Sequence, residues 1–597
     1  MRIVTARRIS QVFFFALFIW LCIVTAVGDK FWQLRHWPVN LFLSLDPLVA
    51  IGTILTTQTL YWHLLLALAT IILTIILGRF FCSWVCPFGS IHHFVGYLGK
   101  RSKPAGQRIK LNRYRKAQGI KYFVLAFLLA GAAFPSISAT LQTGLLDPIP
   151  LVSRSVNLVL LPIADKPFAL LAVTQRLYEL AGLIFAVFAA AVLLNLFIPR
   201  FYCRFVCPLG ALFGVVSRFA IWRIGKNKQA CTGCKFCEQH CEGGCEPATT
   251  IKIAECVLCF NCRDDCKKMD DCISYQTVAS RAGEHTNPDI SRRGFILSVA
   301  SGVLAVPAIR LAGKVGKGWY YKVVRPPGAL AEAEFLKRCI KCGQCIKVCP
   351  TNVLQPAGIE GGIEGLWTPI LNNRIGTSGC QYNCVACGSV CPTSAIRAIS
   401  LDEKMGKGKF ASKGPIKLGT AFVDRNRCLP CSMNKPCIVC EENCPVSPKA
   451  IYTAETFNAV RNGRLTVKKA VGSTSLTTGV NTIETAENGL PVDKYGTGDY
   501  YCIVEGLSGQ MRHPEGEQRW KIRSNTENTI LCEGKFETVP AEGAKVIIQV
   551  RLQRPLVDIE RCIGCGVCEH ECPVSGLKAI RISAEGESRS YDRQLLL

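Results

Sequence analysis

The sequence predicts an α-helical membrane domain, four helices in a two-fold parallel repeat plus a fifth helix, followed by α+β cysteine-rich modules and a β-rich insertion. Three observations carry this. Apolar runs of spanning length are confined to the first 220 of 597 residues, a ten-residue cysteine segment occurs there twice, and most of the 34 cysteines fall in regularly spaced runs. That length suits three or four domains, and the cysteine spacing is unlike that of a small disulfide scaffold. The formal charge of +27 raises nucleic acid as a partner. No aromatic-interleaved basic helix accompanies it, and much of the excess lies beside the apolar runs. The charge therefore reads as a topology signal, and nucleic acid is excluded.

The apolar runs are Gln11–Val27, Thr59–Gly78, Lys121–Ile137 and Glu179–Ile198, each near the ~20 residues needed to cross ~30 Å of hydrocarbon. Arg79–Lys116 holds nine Lys or Arg and no acid. Positive-inside asymmetry places that loop and the N-terminus in the cytoplasm. The segment Gly78-Arg79-Phe80-Phe81-Cys82-Ser83-Trp84-Val85-Cys86-Pro87 returns as Pro199-Arg200-Phe201-Tyr202-Cys203-Arg204-Phe205-Val206-Cys207-Pro208, and Leu45-Asp46-Pro47 returns as Leu146-Asp147-Pro148. Residues 1–220 are therefore two copies of helix, Asp-Pro loop, helix, CxxxCP loop, in one orientation. Cys82, Cys86, Cys203 and Cys207 are either structural or the four ligands of an additional iron–sulfur cluster across the repeat axis.

Residues 221–290 read as a cytoplasmic module. Cys231, Cys234, Cys237 and Cys241, then Cys256, Cys259, Cys262 and Cys266, follow the bacterial ferredoxin-like spacing, in which the fourth cysteine of each run serves the other cluster. The two [4Fe–4S] sites are then Cys231, Cys234, Cys237, Cys266 and Cys256, Cys259, Cys262, Cys241. Structural zinc would use separated CxxC pairs instead. Glu242 and Lys267 stand where proline usually follows the fourth cysteine, and Cys245 and Cys272 are left over.

Ser291-Arg292-Arg293 before an apolar stretch resembles a twin-arginine export signal. Residues 291–313 are thus expected to be such a segment, retained as a fifth helix, with everything beyond it exported. Residues 314–459 and 557–597 carry four further cysteine runs. Exchange of fourth ligands gives Cys339, Cys342, Cys345, Cys391; Cys380, Cys384, Cys387, Cys349; Cys428, Cys437, Cys440, Cys572; and Cys562, Cys565, Cys568, Cys444. Cys428 and Cys431 compete for one place, and Cys428 is favoured because it opens its motif. Residues 460–556 alternate apolar and polar residues as β-strands do. Their Cys502 and Cys532, on an oxidising side, are expected to form a disulfide.

These motifs, in this order, resemble a NapH-type membrane quinol dehydrogenase fused to a NapG/MauM-type periplasmic polyferredoxin. The resemblance covers residues 1–280 and 291–597 apart from the β insertion. It implies a multi-pass protein of the bacterial inner membrane with six [4Fe–4S] clusters, passing electrons between the quinone pool and periplasmic redox proteins such as cytochromes or reductase subunits. Nitrate reduction itself is not implied. Asp46, Asp147 and His63 near the outer face, or His92 and His93 near the inner face, are the candidate proton acceptors of a quinone site. Each has a plainer role as turn, cap or interfacial hydrogen-bonder. Two other readings stay open: a conduit from a cytoplasmic redox partner that uses no quinone chemistry, and a metal-reducing assembly factor of the CcoG type, whose CxxxCP block is similar.

Overall fold

A computed structural model of the protein describes residues 3–25, 38–134, 142–166, 176–227, 231–266, 272–277, 284–285, 287–315, 323–472, 479–505, 519–534, 536 and 538–589. The chain forms two compact units, residues 1–418 with 584–597, and residues 419–583.

In the first unit all four apolar runs are helical. Ile3–Val24 has 22 residues and is the one helix among those described that is both long and apolar enough to cross a membrane; the end of that run, residues 26–27, lies outside the described residues. The other runs give Leu66–Leu77 after a 3-10 turn, Ile120–Ala133 (with 135–137 outside the described residues), and Ala181–Leu193. At 12 to 14 residues they fall short of a full span.

The helical block holds more than the four helices expected, because the Asp-Pro segments are helix starts rather than loops. Pro47 and Pro148 each occupy the first helical position, where a missing N–H costs nothing. Asp46 accepts from the backbone N–H groups of Leu48 and Val49 and begins Pro47–Thr57, and Asp147 accepts from Ile149 and begins Pro148–Ser155. Every residue of Pro148–Ser155 is buried. The fifth helix, Arg292–Val315, lies along Ile120–Ala133. A Cβ on Gly302 would sit 2.3 Å from the Phe127 carbonyl oxygen, so the two backbones approach as small residues permit.

The cysteine modules of this unit use short elements. Trp222–Lys226 pairs antiparallel with Ile273–Thr277, and Leu354–Pro356 with Pro369–Leu371. In the second unit Thr420–Val423 pairs with Ile580–Ser583. The β-rich part is a closed six-stranded barrel in the order Tyr500–Val504, Trp520–Asn525, Thr529–Glu533, Val480–Thr485, Ile451–Val471 and Lys545–Val557. Its longest strand starts at Ile451, before residue 460. Closure leaves no sheet edge, and alternate residues such as Leu465, Val467, Val546, Ile548 and Val550 fill the interior.

Candidate cluster sites

The repeated CxxxCP loops build the same local device twice. Cys86 and Cys207 precede a proline that opens a helix, and each sulfur takes the place of an N-cap oxygen. Cys86 Sγ accepts from the Gly89 N–H at 3.3 Å and Cys207 Sγ from the Gly210 N–H at 3.2 Å. A helix N-terminus favours thiolate over thiol. Gly89 is required, since a Cβ there would lie 2.3 Å from the Cys82 carbonyl oxygen. The two loops meet: Cys86 interacts electrostatically with Cys82 and Cys203, and Cys207 with all three of the others.

Arg79 and Arg200, matched positions of the repeat, are 2% and 1% exposed beside these thiols. Arg200 donates to the Cys82 carbonyl at 3.2 Å, and Arg79 donates to the Ala254 carbonyl. Buried cations need negative partners, and four thiolates around an iron–sulfur cluster supply a net negative charge. Four converging thiols, two N–H···S bonds and the buried Arg79 guanidinium are a donor set that an iron–sulfur cluster would fit.

The module after the helical block sits on these loops. Trp84 donates to the Leu258 carbonyl at 3.1 Å, and Glu255 is bound by Lys121, by Tyr122 at 2.9 Å and by Gln118 at 3.0 Å. Glu242 is the strongest tie. It pairs with Arg7 at 3.2 Å, His93 at 2.9 Å and Arg200 at 2.8 Å. Burial alone would raise its pKa, but His93, Arg200 and Arg7 outweigh burial and hold it well below the usual carboxylate range. The departure from proline at this position is therefore a docking residue. Lys267 lies outside the described residues.

The second predicted ligand set of this module is brought together, and so are three members of the first, while Cys231 lies beside Cys272. Cys237 interacts with Cys234 and Cys266, and Cys262 with Cys259, Cys256 and Cys241. Cys245 and Cys272, left over by the spacing, are not remote. Cys245 Sγ lies 3.4 Å from Cys241 Sγ, and Cys272 Sγ 2.6 Å from Cys266 Sγ.

At the other end of the block, the Asp-Pro helices carry the next module. Thr56 donates to the Lys337 carbonyl, and Arg154 to the Lys341 carbonyl, both at 2.8 Å. A Cβ on Gly144 would lie 2.0 Å from the Ile340 carbonyl oxygen. Cys339, Cys342, Cys345 and Cys391 line one cavity together, as predicted. Cys387 interacts with Cys380, Cys384 and Cys349, and Lys404 bonds Cys380 Sγ at 3.5 Å. Ile340 and Cys342 belong to the same packed core as Cys86, Cys207 and Tyr202.

The second unit repeats the scheme. Cys428, Cys437, Cys440 and Cys572 line a cavity. Cys431 is beside Cys428 but is not among that cavity's lining residues. Cys568 interacts with Cys565, Cys562 and Cys444. Cys502 and Cys532, on strands either side of Trp520–Asn525, point into the barrel as thiols with their sulfurs 2.9 Å apart. Among the described residues no three His, Cys, Asp or Glu side chains close to the spacing of a single bound ion.

The quinone-site candidates separate. Asp46 and Asp147 are fully buried and lie beside each other, each capping its own helix. His63 is exposed in the 3-10 turn. His92 is buried against Asn195 and Phe88, and with His93 it lines a cavity of about 320 Å³ that also touches Arg8, Tyr97, Lys100 and Arg200.

A 4Fe-4S binding domain family matches residues 59–105 and again 180–227, one copy on each CxxxCP loop. A 4Fe-4S dicluster domain matches residues 334–401 and a further 4Fe-4S binding domain residues 555–578. The chain is similar to an uncharacterized protein of Methanocaldococcus jannaschii, 30% identical over 198 residues, 33% of this chain and 65% of that protein. It is similar to YccM of Escherichia coli, named as a candidate electron transport protein, 28% identical over 207 residues, 34% of this chain and 53% of that protein. The ferredoxin-type protein NapG of Escherichia coli is 30% identical over 182 residues, 30% of this chain and 72% of that protein. The chain thus spans about two thirds and one half of the first two relatives. No solved structure matches.

Proposed function

The chain belongs to the NapG ferredoxin-type family of iron–sulfur electron-transfer proteins, and from that premise we propose that it conducts electrons through a lipid bilayer, from a cytoplasmic two-cluster module, through the CxxxCP cysteines, to exported cysteine modules. One observation carries this reading. Cys342 of the third predicted set lies in the same packed core as Cys86 and Cys207, while Trp84 and Arg79 of the first loop reach Leu258 and Ala254 beside Cys256. Hydrocarbon ~30 Å thick would isolate redox groups on its two sides. Here the helical block carries its own thiol set between them. The [4Fe–4S] clusters such thiols hold would supply one-electron transfer, tuned by hydrogen bonds and burial.

The residues divide that work. The Gly89 and Gly210 N–H groups orient Cys86 and Cys207 and favour their thiolates. Arg79 and Arg200 balance charge in a buried site. Gly144, Thr56 and Arg154 hold the Cys339–Cys342 loop down on the block, which keeps the separation short.

A second reading adds quinol. The cavity at His92 and His93 adjoins Arg200, which bonds the Cys82 loop, and His93 there would take part in passing on protons released on quinol oxidation. The exported modules would then pass electrons to periplasmic redox proteins, as in a quinol dehydrogenase subunit.

The test is the double change Cys86→Ser with Cys207→Ser, in liposomes with an impermeant reductant outside and an acceptor trapped inside. Iron should fall by about four atoms from roughly 28 per chain, four for each cubane, and electron transfer across the bilayer should drop at least tenfold. Unchanged iron and unchanged transfer would make these cysteines structural and defeat the proposal.

A further inference from the structure

The two cysteines that the ferredoxin-like spacing leaves over occupy equivalent places. Cys245 follows Cys241 by four residues and Cys272 follows Cys266 by six, yet the contacts are the same. In each case the backbone N–H of the later cysteine donates to the sulfur of the earlier one, Cys245 to Cys241 at 3.4 Å and Cys272 to Cys266 at 3.3 Å. In each case the two sulfurs touch, at 3.4 Å and 2.6 Å. And in each case the later thiol also lies beside the first cysteine of the opposite run, Cys245 by Cys256 and Cys272 by Cys231.

Different local structure produces this one arrangement. Cys245 is turned back by Gly243 and Gly244. A Cβ on Gly243 would lie 2.3 Å from the Glu255 carbonyl oxygen, and Gly244 has φ +64, a conformation that favours glycine. Lys252 then holds the Cys245 carbonyl at 2.9 Å. Cys272 is placed by a strand instead: it precedes Ile273, which pairs with Lys226, and its carbonyl accepts from Asn227 at 2.8 Å. Two unrelated devices that deliver a thiol to the same place, between the first and the exchanged fourth cysteine of a predicted set, argue against chance. Both thiols are buried, at 4% and 5% exposure.

We propose that each cytoplasmic cluster site is a five-thiol site, in which Cys241 and Cys245 alternate as the fourth ligand of one cluster and Cys266 and Cys272 as that of the other. The proposal rests on the reading of this module as iron–sulfur binding. Exchange is balanced locally. One iron–thiolate bond breaks and one forms, the incoming thiol passes its proton to the outgoing thiolate against which it already lies, and no electron is gained or lost. Each cluster then has two stable ligand sets, and loss of either partner is absorbed by the other.

Iron content and the EPR of the reduced, full-length protein in detergent decide this. Cys241→Ala and Cys266→Ala should each keep wild-type iron, whereas Cys241→Ala with Cys245→Ala should lose about four iron atoms per chain, the content of one cubane. If Cys241→Ala alone loses those atoms while Cys245→Ala leaves iron and EPR unchanged, the fifth thiol is only a neighbour and the proposal fails. Should the Cys241→Ala chain not accumulate, Cys245→Ala and Cys272→Ala decide by themselves. Each should simplify a wild-type EPR signal that contains two forms per cluster, and a wild-type signal already identical to both variants overturns the proposal. Loss of all cytoplasmic iron signals from the wild type itself would instead refute the cluster reading beneath it.

Discussion

Glu242→Gln is the most informative single change, because it removes charge without removing volume. The carboxylate is 4% exposed and pairs with Arg7, Arg200 and His93 at 3.2, 2.8 and 2.9 Å. Arg7 keeps the Cys259 carbonyl and His93, and Arg200 the Cys82 carbonyl, but both lose their carboxylate. Removing one member of a buried pair costs about 3–5 kcal/mol, since the remaining charge is left desolvated. A shift of about 2–4 °C per kcal/mol applies to 150–250 residues and falls with size, so in the larger unit that holds Glu242 the melting midpoint should fall by roughly 5 °C. The assay is anaerobic heating of the detergent-solubilised holoprotein, following cluster absorbance. The loss should persist in high salt, because buried pairs are screened little. Arg7→Gln in the Glu242→Gln background should cost less than in the wild type, a coupling of at least about 1 kcal/mol. A midpoint within about 2 °C of wild type, or strict additivity of the two changes, would refute the role of Glu242 as the tie between this module and the helical block.

Other consequences can be measured independently. Glu332 is held by Arg325 at 2.6 Å and Arg589 at 3.0 Å. Burial opposes its ionisation, yet these cations bring its pKa down to about 2, so its stabilisation, on the order of 3 kcal/mol, is complete above about pH 4.5 and is lost as pH falls toward 2. Glu332→Gln should flatten that part of the stability profile, and an unaltered acid limb would count against the pairing. Cys502 and Cys532 should form a disulfide in exported protein, so that unreduced, denatured chains show no alkylated thiol at either position; two labelled thiols there would exclude it. Gly302→Leu should force the Arg292–Val315 helix from Phe127 and destabilise the block by about 1–3 kcal/mol, read as a lower detergent-unfolding midpoint, whereas Gly182→Leu, whose Cβ would meet nothing within 4 Å, should not.

Much of the chemistry is legible in one dimension because cubane ligation is local. Three cysteines at two-residue gaps wrap one corner whatever surrounds them, so Cys339, Cys342, Cys345 and the distant Cys391 could be grouped from spacing, and they line one cavity. Cys428, Cys437, Cys440 and Cys572 also line one cavity, though the long first gap leaves Cys428 and Cys431 competing until the fold places them, and the repeat that pairs Cys86 with Cys207 is legible as well. The alternation of apolar residues likewise announced strands between residues 460 and 556, because side-chain direction in a strand has period two.

Tertiary structure decided what depends on partners far apart in sequence. That the strands close into a barrel is settled by pairing of Tyr500–Val504 with Lys545–Val557, which no local pattern specifies. Asp46 and Asp147 are as readily turn residues as proton acceptors until the fold brings them together. Glu242 looked like a missing proline, and its role exists only because Arg7, His93 and Arg200 arrive from three separate segments of the helical block. Cys245 and Cys272 have different spacings, so their equivalence is invisible to a motif. It arises from a glycine turn in one case and a strand register in the other, each placing a sulfur within contact of the same kind of neighbour.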